Sequence, residues 1–303
     1  MLNSFLTSRP RSSTMPVMDD LLHLPGRLWP TLSIVTPSFR QARYIEATLQ
    51  SVLRQRADVH EYFVMDGGSD DGTVDLLRRY EAQLTGWVSE KDAGQGDAIN
   101  KGFARCTGEL LGWLNSDDVY LPGALSAVRA AFAADPELDF VAGWSLRVDE
   151  ACHVIRAKRW CVGSPAQARA GMLANQPACF FRRSLFEKVG PLDTSLWLAL
   201  DSDLFYRMFR VVRRMRSLPR YLAACRVQPE AKCQLYAQGK LPEALIARET
   251  KLIDARFPEF RFPSMGSRGR RLIWRMQFYI KERAGEMADT RHWRGRSVDE
   301  IFP

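Results

Sequence analysis

The stretch LLGWLNSDD, residues 110–118, joins an apolar run to a group of polar and acidic side chains. The apolar part predicts a short buried strand, and the acids after it place oxygen ligands at the edge of a sheet, where open α/β sheets bind ligands. Two neighbouring carboxylates repel each other unless a cation or a proton intervenes, and ligation by oxygen alone suits Mg²⁺ or Mn²⁺. The alternative is that Asp118 caps a helix that starts near Pro122.

The first half of the chain alternates apolar strands with amphipathic helices. Apolar and β-branched runs predict strands at 32–36, 62–65, 86–89, 110–114 and 140–144. Apolar residues at a helical period predict helices at 44–55, 73–84, 97–106 and 122–134. This order predicts an α/β fold with a mostly parallel, doubly wound, Rossmann-like sheet. Beyond Ser145 the pattern weakens into a small antiparallel addition and further helices.

A second acidic loop, DGGSDDG at residues 66–72, follows the strand predicted at 62–65. Its consecutive glycines, Gly67 and Gly68, allow the backbone to approach a ligand closely. It is neither a P-loop nor a dinucleotide fingerprint, and taken alone it also fits a Gly/Asp turn. In a parallel sheet, however, the strand ends marked by Pro37, Asp66 and Asp117 lie along one edge, which turn chemistry does not explain.

Composition limits the classes of protein to which this chain could belong. The chain has 303 residues, enough for one large domain or two, and a formal net charge of +8. No apolar run approaches the roughly 20 residues that span a bilayer. The six cysteines lack metal-like spacing, which favours free thiols in the cytosol. Arginine-rich clusters at 207–220 and 268–283 fit a polyanion, an anionic lipid or a diphosphate, but no nucleic-acid module accompanies them, so nucleic acid is not an expected partner.

Four motifs taken together resemble glycosyltransferase family 2. They are SIVTPSF at 33–39, MDGGSDDGT at 65–73, SEKDAGQGDAINKGF at 89–103 and GELLGWLNSDD at 108–118. The ordered set is highly specific, covers roughly residues 32–232, and is most similar to bacterial enzymes that build exopolysaccharide, capsule or lipopolysaccharide glycans. The resemblance implies a GT-A fold, a nucleotide-diphospho-sugar donor, a divalent cation (Mn²⁺ or Mg²⁺) and inversion at the anomeric carbon.

The resemblance also implies a donor site at the strand ends. Asp66 is expected to contact the nucleoside and Asp97 the donor sugar or ribose, while Gly67 stands where the family often has a second acid. Asp117 is the expected metal ligand in the family's DxD position, where Asn115 replaces the first acid. The implied donor-binding residues are Thr36, Pro37, Ser38, Asp66, Gly67, Gly68, Asp97, Lys101, Asn115, Ser116, Arg226 and Lys232.

The acceptor side follows from the same resemblance. Asn175 and Gln176 stand where the family commonly has His-Gln, and Asp201 stands in the segment that holds the catalytic base. A carboxylate that takes a proton from a sugar hydroxyl must be close and moderately basic, and partial burial raises its pKa suitably. Asp203 is the alternative base. The alternative to a catalytic Asp201 is an N-cap of the following helix.

Gln228 marks a departure from the family. Relatives often carry a His there that approaches the metal or the diphosphate, and Gln228 has no imidazole to offer. Arg226 and Lys232 remain as cations that neutralise the diphosphate. Asp118, next to the expected metal ligand, is predicted to support that ligand or to cap a helix.

The predicted organisation is a poorly ordered lead-in at 1–30, a GT-A catalytic domain at 31–262 and a basic helical tail at 263–303. The donor half of the catalytic domain is 31–145, and the acceptor half is 146–262. Apolar tail residues recur at helical spacing beside basic ones, namely Leu272, Ile273, Met276, Tyr279 and Ile280. This helix either docks on the core or lies on an anionic membrane near a lipid-linked acceptor. The predicted location is the cytoplasm, in the second case at the inner face of the cell membrane.

The predicted function is transfer of a sugar to a hydroxyl of a glycan or lipid-linked acceptor in cell-surface polysaccharide biosynthesis. Two alternatives stay open. A catalytically silent sugar- or nucleotide-binding module of a glycan-assembly complex is favoured by Asn115 and Gln228. A nucleotidyltransferase would share the sheet, the nucleotide and the metal, but it typically has a Gly-rich loop with a basic residue after the first strand, and the loop at Pro37 is not Gly-rich.

Overall fold

The described residues form a nine-stranded sheet. The computed structural model describes residues 29–159, 175–260 and 291–302. The strands are β1 (Leu32–Ser38), β2 (Glu61–Asp66), β3 (Gly86–Ser89), β4 (Leu110–Trp113), β5 (Val119–Tyr120), β6 (Phe140–Val148), β7 (Val154–Lys158), β8 (Cys179–Arg182) and β9 (Met215–Arg226). Their order across the sheet is β3-β2-β1-β4-β8-β6-β9-β5, and β7 pairs with β6.

Strand direction divides the sheet into a parallel half and a mixed half. β1 to β4 pair in parallel. β8 then enters antiparallel between β4 and β6, and β9 runs parallel to β6. Six of the nine described strands therefore point the same way, while β5, β7 and β8 point the other way. The predicted α/β fold with a mostly parallel sheet is confirmed, although the central place of β8 was not predicted.

Helices cover both faces of the sheet. They are α1 (Ile45–Leu53), α2 (Thr73–Tyr80), α3 (Gln95–Phe103), α4 (Ala124–Ala134), α5 (Arg183–Val189), α6 (Leu200–Val211), α7 (Lys232–Ala237), α8 (Glu243–Arg256) and α9 (Val298–Ile301). The first of these buries Ile45, Thr48, Leu49 and Val52, which is the helical spacing that predicted it.

Helix α3 packs unusually close to the sheet. A Cβ atom built on Gly102 would lie 2.4 Å from Cγ1 of Val35 in β1, so only glycine allows this approach. The short distance brings the loop before α3 close to the ends of β1 and β2, where Gly67 and Gly68 lie. A Cβ on Gly67 would meet Asp92 of that loop at 2.9 Å.

Two apolar layers fill the space between sheet and helices. Neighbouring residues of one strand enter opposite layers: Phe180 of β8 packs in the layer with Ile34, and Phe181 packs in the layer with Val35. The second layer is rich in aromatic rings, including Trp113 stacked on Phe205 at 5.9 Å. Burial on both faces explains why these strands are continuously apolar instead of alternating.

The arginines at 207–216 are paired with carboxylates. Arg207 contacts Asp203, Arg210 contacts Glu259, and Arg213, Arg214 and Arg216 contact Asp139 or Asp135 at N–O distances of 2.5 to 3.2 Å. The last three contacts tie the start of β9 and the residues just before it to the loop before β6. The arginines at 207–216, which suggested a surface for polyanions, are therefore paired with carboxylates of the same chain.

The end of the chain packs on the sheet. His153 forms a β-bridge with Ser297, Val298 is buried, and the ring of Trp293 lies 5.3 Å from that of Tyr221. These residues fall within the predicted tail, and they belong to the body of the protein. The amphipathic stripe of the tail lies outside the described residues. No helix in the described ranges is both apolar enough and long enough to span a membrane.

Candidate active site

Three strand ends meet at one edge of the sheet. Ser38 at the end of β1 pairs with Asp66 at the end of β2. Val35 lies opposite Trp113, the last residue of β4, and its carbonyl accepts a hydrogen bond from Leu114 N–H at 2.9 Å. The loops that begin at residues 39, 67 and 114 therefore start side by side, as the parallel arrangement predicted.

The Asp66 carboxylate organises the loop after β2. It accepts hydrogen bonds from the N–H groups of Gly68 and Ser69 at 3.1 and 2.8 Å and from the hydroxyls of Ser69 and Ser89 at 2.6 and 2.7 Å. Gly68 adopts φ = 82°, the left-handed region that favours glycine. Asp66 is thus buried and well bonded, and a nucleoside contact through it stays a prediction.

Asp92 is a candidate site residue that sequence reasoning missed. Its carboxylate lies beside Gly67, the position where the family often has a second acid. One of its oxygens accepts the Gly94 N–H at 2.8 Å, which fixes the loop before α3. Asp92 lies inside the matched motif at 89–103, so the motif contained the signal, but its spatial relation to Gly67 depends on the close packing of α3.

The predicted donor residues of β1 differ in their surroundings. Thr36 is fully buried and its hydroxyl lies 3.0 Å from that of Tyr62, so the donor contact predicted for its side chain is not supported. The predicted donor residue Pro37 is buried in the same strand. Ser38 differs from both, because its buried hydroxyl has no hydrogen-bond partner among the described residues. A buried hydroxyl without a partner at a strand end is what a bound polar ligand would satisfy.

Asp97 and Lys101 pair with each other on α3. Their charged atoms lie 3.2 Å apart, and Lys101 also contacts Glu90 at 3.3 Å. Asp97 accepts the Ala93 N–H at 3.0 Å, and this bond is the main reason that its pKa lies below the usual value. The pair holds the loop that carries Asp92, and the donor roles predicted for both residues stay predictions.

A chain of polar side chains crosses the site. The Asn115 side-chain oxygen accepts from Gln95 at 2.8 Å, and the Gln95 oxygen accepts from Lys232 Nζ at 2.8 Å. Lys232 Nζ also donates to the Trp197 carbonyl at 2.9 Å and lies 4.6 Å from the centre of the Trp197 ring. Burial lowers the pKa of Lys232 to about 8. The loop after β4, helix α3 and the turn before α6 thus converge on one lysine.

Gln176 and Asn175 lie next to this series of polar side chains. Gln176 donates to the Trp113 carbonyl at 2.8 Å and accepts from the Asn115 side chain at 3.1 Å, so it orients Asn115. The Asn175 amide donates to the Ser145 hydroxyl at 2.8 Å and to the Cys225 sulfur. Both residues lie at the site, and their predicted contact with an acceptor is untested.

Asp117 and Asp118 form a crowded acidic pair. Burial raises the pKa of Asp117, and burial together with the charge of Asp117 raises that of Asp118 well above its usual value. Gln228 donates to Asp117 Oδ2 at 3.2 Å, and the Arg226 N–H donates to Asp118 Oδ1 at 2.9 Å. Asp118 does not cap a helix, because α4 begins at Ala124 with Gly123 as its N-cap. Ser116 is buried beside the pair.

The surroundings of Arg226 favour a structural role, and its predicted donor role stays a prediction. Its guanidinium donates to the carbonyls of Asp117, at 2.8 Å, and of Glu150, and it lies 5.0 Å from the ring centre of Tyr44. Only 5% of Arg226 is exposed. A cation that is already bound to backbone carbonyls is poorly placed to neutralise a diphosphate, so Arg226 holds the Asp117 loop in place. Lys232 is the better candidate for the diphosphate.

The two acids of α6 have different surroundings. Asp203 is 1% exposed and ion-paired with Arg207 at 2.8 Å and with Arg256 at 2.9 Å, so the predicted acceptor-side role does not fit it. Asp201 is half-buried and accepts from the Ser202 N–H at 2.7 Å, and within the described ranges it has no ion pair. Burial raises the pKa of Asp201. Asp201 is not the N-cap of α6, which is Ala199.

The acidic pair fits a divalent cation that takes most of its ligands from substrate and water. Burial disfavours the charged form of both carboxylates, and the charge of Asp117 adds to this at Asp118, so a cation beside them would stabilise their charged forms. The oxygen of Asn115 accepts a hydrogen bond from Gln95, and Gln228 presents an N–H group, so Asp117 stays the predicted direct ligand. Within residues 29–159, 175–260 and 291–302, no three His, Cys, Asp or Glu side chains cluster as a metal cage. Mg²⁺ commonly binds through one or two carboxylates plus phosphate oxygens.

The family profile described as glycosyl transferase family 2 matches residues 33–190. The chain belongs to glycosyltransferase family 2. Over 182 residues this glycosyltransferase is 32% identical to an uncharacterized glycosyltransferase of Mycobacterium tuberculosis (strain ATCC 25618 / H37Rv), an overlap that covers 59% of this chain and 68% of that protein.

Solved structures share the fold of this glycosyltransferase. S. aureus TarS in complex with UDP-GlcNAc has a TM-score of 0.56 at 18% identity, covering 65% of this chain and 59% of that fragment. Of the longer TarS chain, 37% is covered. The mannosyltransferase PcManGT from Pyrobaculum calidifontis, in complex with GDP-Man and Mn²⁺, has a TM-score of 0.51 at 18% identity, covering 87% of this chain and 86% of that chain. The glycosyltransferase therefore has a GT-A fold.

Proposed function

We propose that this family 2 member is an inverting, metal-dependent hexosyltransferase that moves a sugar from a nucleotide-diphospho-sugar to an acceptor hydroxyl. The observation that carries the proposal is the convergence on Lys232. Its ammonium contacts Gln95, which holds the Asn115 side chain near Asp117, and it contacts the turn that leads to Asp201. Lys232 is thus linked through Gln95 and Asn115 to the loop that carries Asp117, and through Trp197 to the turn before Asp201.

The donor would bind along the edge formed by β1, β2 and β4. The unpartnered hydroxyl of Ser38 and the carboxylates of Asp66 and Asp92 offer hydrogen-bond groups to a nucleoside. Asp117 would hold Mn²⁺ or Mg²⁺, which supplies a Lewis acid that offsets the charge growing on the diphosphate. Lys232 would add a positive charge to the same group.

Asp201 would serve as the general base. The acceptor oxygen forms a bond to the anomeric carbon while the bond from that carbon to the diphosphate oxygen breaks, and the hydroxyl proton passes to Asp201. The electron pair of the broken bond leaves with the nucleoside diphosphate. Attack from the opposite face inverts the anomeric centre. Burial raises the pKa of Asp201, which makes its carboxylate a better proton acceptor near neutral pH.

The proposed acceptor is a glycan or a lipid-linked sugar in bacterial cell-surface polysaccharide biosynthesis, at the cytoplasmic side of the membrane. Support comes from the sequence resemblance to enzymes that build such glycans. The basic amphipathic stripe around Leu272 and Ile273 suits an anionic leaflet, and docking on the core is the competing role. Co-sedimentation with phosphatidylglycerol liposomes compares the protein with a Leu272→Asp/Ile273→Asp variant. Equal pelleting of the two would remove membrane contact from the proposal.

Release of nucleoside diphosphate tests the enzymatic part. The full chain is incubated with UDP-GlcNAc, UDP-glucose, GDP-mannose and dTDP-rhamnose in the presence of Mn²⁺ or Mg²⁺. We expect slow release from at least one donor, loss of release after chelation, and recovery when metal is restored. Release that continues undiminished in a metal-free, chelated sample would contradict the metal dependence.

The second candidate is a catalytically silent nucleotide-sugar-binding module. It is favoured by the engagement of Asn115 with Gln95 and by the N–H group that Gln228 directs at Asp117. A thermal-shift screen with the same four donors separates the candidates. Donor binding that stabilises the fold without any release of product would favour the module.

A further inference from the structure

Glu249 binds three consecutive backbone N–H groups. It lies in α8 and is 1% exposed. One carboxylate oxygen accepts from Trp197 at 2.8 Å, and the other accepts from Leu198 and Ala199 at 2.9 Å each. Burial alone raises the pKa of Glu249, but the three backbone hydrogen bonds and a fourth from the Arg248 side chain at 3.2 Å outweigh it and lower the pKa below the usual value. The side chain is therefore a buried anion with both oxygens in use.

The turn held by Glu249 leads directly to the proposed base. Ala199 is the N-cap of α6, and Asp201 follows two residues later. The Trp197 carbonyl accepts from Lys232, so the same turn also receives the cation at the centre of the site. Arg248, next to Glu249, donates to the Ser195 carbonyl at 3.0 Å, so contacts from α8 to the turn begin two residues before Trp197.

We propose that Glu249 is a positioning residue, which sets the location of Asp201 by fixing the turn at 197–199 from a helix distant in sequence. The proposal rests on the proposed function, because it takes Asp201 as the base. A carboxylate suits this role since it only accepts hydrogen bonds, and its negative charge faces the positive end of the α6 dipole. Helix α8 lies outside the residues 33–190 that match the family profile.

The side chain of Glu249 acts through the backbone and does not reach the reacting atoms. A general loss of stability would lower the melting temperature without changing the turnover of the folded fraction. A positioning role predicts a split, in which turnover falls and donor affinity is kept. It also predicts faster amide exchange confined to the turn and the start of α6, because these N–H groups lose their acceptor.

The experiment compares Glu249→Gln with Glu243→Gln in the full chain. Glu243 lies on the same helix and is exposed, so it is a matched control. The readouts are hydrogen exchange of peptides across 195–204, melting temperature, and the kcat and KM of diphosphate release from the four donors above. For Glu249→Gln we expect about tenfold faster exchange at 197–199 and about a tenfold lower kcat, the scale of one lost charge-assisted hydrogen bond, with KM within about twofold.

Each outcome bears on the proposal. Unchanged kcat in a folded Glu249→Gln variant, or exchange at 197–199 equal to that of Glu243→Gln, overturns it while leaving the proposed function intact. Absence of release by the wild-type chain removes the proposed function, and the role of Glu249 falls with it. If Glu249→Gln does not fold, Glu249→Asp takes its place, since it keeps both acceptor oxygens and is one methylene shorter.

Discussion

At the scale of single residues, the two acids of α6 show how surroundings separate chemical roles. Asp201 and Asp203 are two positions apart, and the sequence motif alone does not distinguish them. Asp203 is held by Arg207 and Arg256, whereas Asp201 has no ion pair in the described ranges. Each oxygen of Asp203 accepts a hydrogen bond from a guanidinium, Oδ2 from Arg207 and Oδ1 from Arg256, so neither oxygen is free to face an acceptor hydroxyl.

The first prediction separates a catalytic role of Asp201 from a structural role of Asp203. Asp201→Asn is expected to lower kcat for sugar transfer by about 10² to 10⁴, the usual range for a general base, without loss of stability. Asp203→Asn is expected to cost about 3 kcal/mol of unfolding free energy, because it leaves two arginines without their buried partner. Urea unfolding and steady-state kinetics of both variants test this. A transfer rate unaffected by Asp201→Asn would refute the base assignment.

The second prediction concerns pH. The pKa of Lys232 falls from 10.5 to about 8 on folding, so between these values the unfolded chain binds more protons than the folded one. The contribution of Lys232 to stability therefore rises as pH increases through this window. Activity is expected to fall over the same range, because the ammonium beside the donor is lost. Melting temperature and diphosphate release are measured from pH 7 to 10 in the wild type and in Lys232→Met, in which the Lys232-dependent part of both trends should disappear.

At the scale of elements, the approach of α3 to β1 shapes the proposed donor site. Without a side chain at Gly102, the helix lies low enough for the loop at 90–94 to reach Gly67, and Asp92 fills the space beside that glycine. The position of Asp92 is thus a consequence of helix packing. An acid from a different loop thus lies beside Gly67, the position where the family often has a second acid.

The third prediction tests this packing with two glycines of one helix. Gly102→Ala is expected to cost about 1–3 kcal/mol, because the new methyl group overlaps Val35 at 2.4 Å. Gly96→Ala is the control, since its nearest neighbour is Thr194 Cα at 3.7 Å and alanine favours the helix. Differential scanning calorimetry measures both. Equal melting temperatures would show that α3 can shift away from the sheet at no cost.

At the scale of the whole molecule, β6, β7, β9 and the end of the chain form a third apolar cluster. Trp293 contacts Tyr221 and Phe302 at ring distances of 5.3 and 5.5 Å, and Val298 is buried beside them. This cluster lies at the far side of the sheet from β3. Residues near position 300 therefore help to stabilise strands formed 150 positions earlier.

The fourth prediction measures this stabilisation. Trp293→Ala is expected to lower the unfolding free energy by about 2 kcal/mol, less than for a fully buried tryptophan because Trp293 is half-buried. Tyr236→Ala, at an aromatic side chain that is 51% exposed, serves as the control and should change stability little. Chemical denaturation monitored by circular dichroism gives both values. Diphosphate release by the folded Trp293→Ala variant should equal that of the wild type.

The local parts of the fold were predictable from sequence, and the long-range parts were not. Strands β1, β2 and β4 are visible as apolar runs that end in polar loops, and the ends of β2 and β4 are marked by acids. The central place of β8 depends on how connections cross the sheet, which no single segment encodes. Likewise, Glu249 has no local motif, because its three partners lie about 50 residues earlier and meet it only after α8 packs.

The paired arginines at 207–216 change how the basicity of this protein should be interpreted. Each of the five arginines contacts a carboxylate that offsets its charge. This patch therefore attracts an approaching anion less than five unpaired arginines would. A high isoelectric point sums charges without regard to their neighbours. For this chain, maps drawn from lysine and arginine counts along the sequence overstate the attraction that this patch exerts on anionic surfaces.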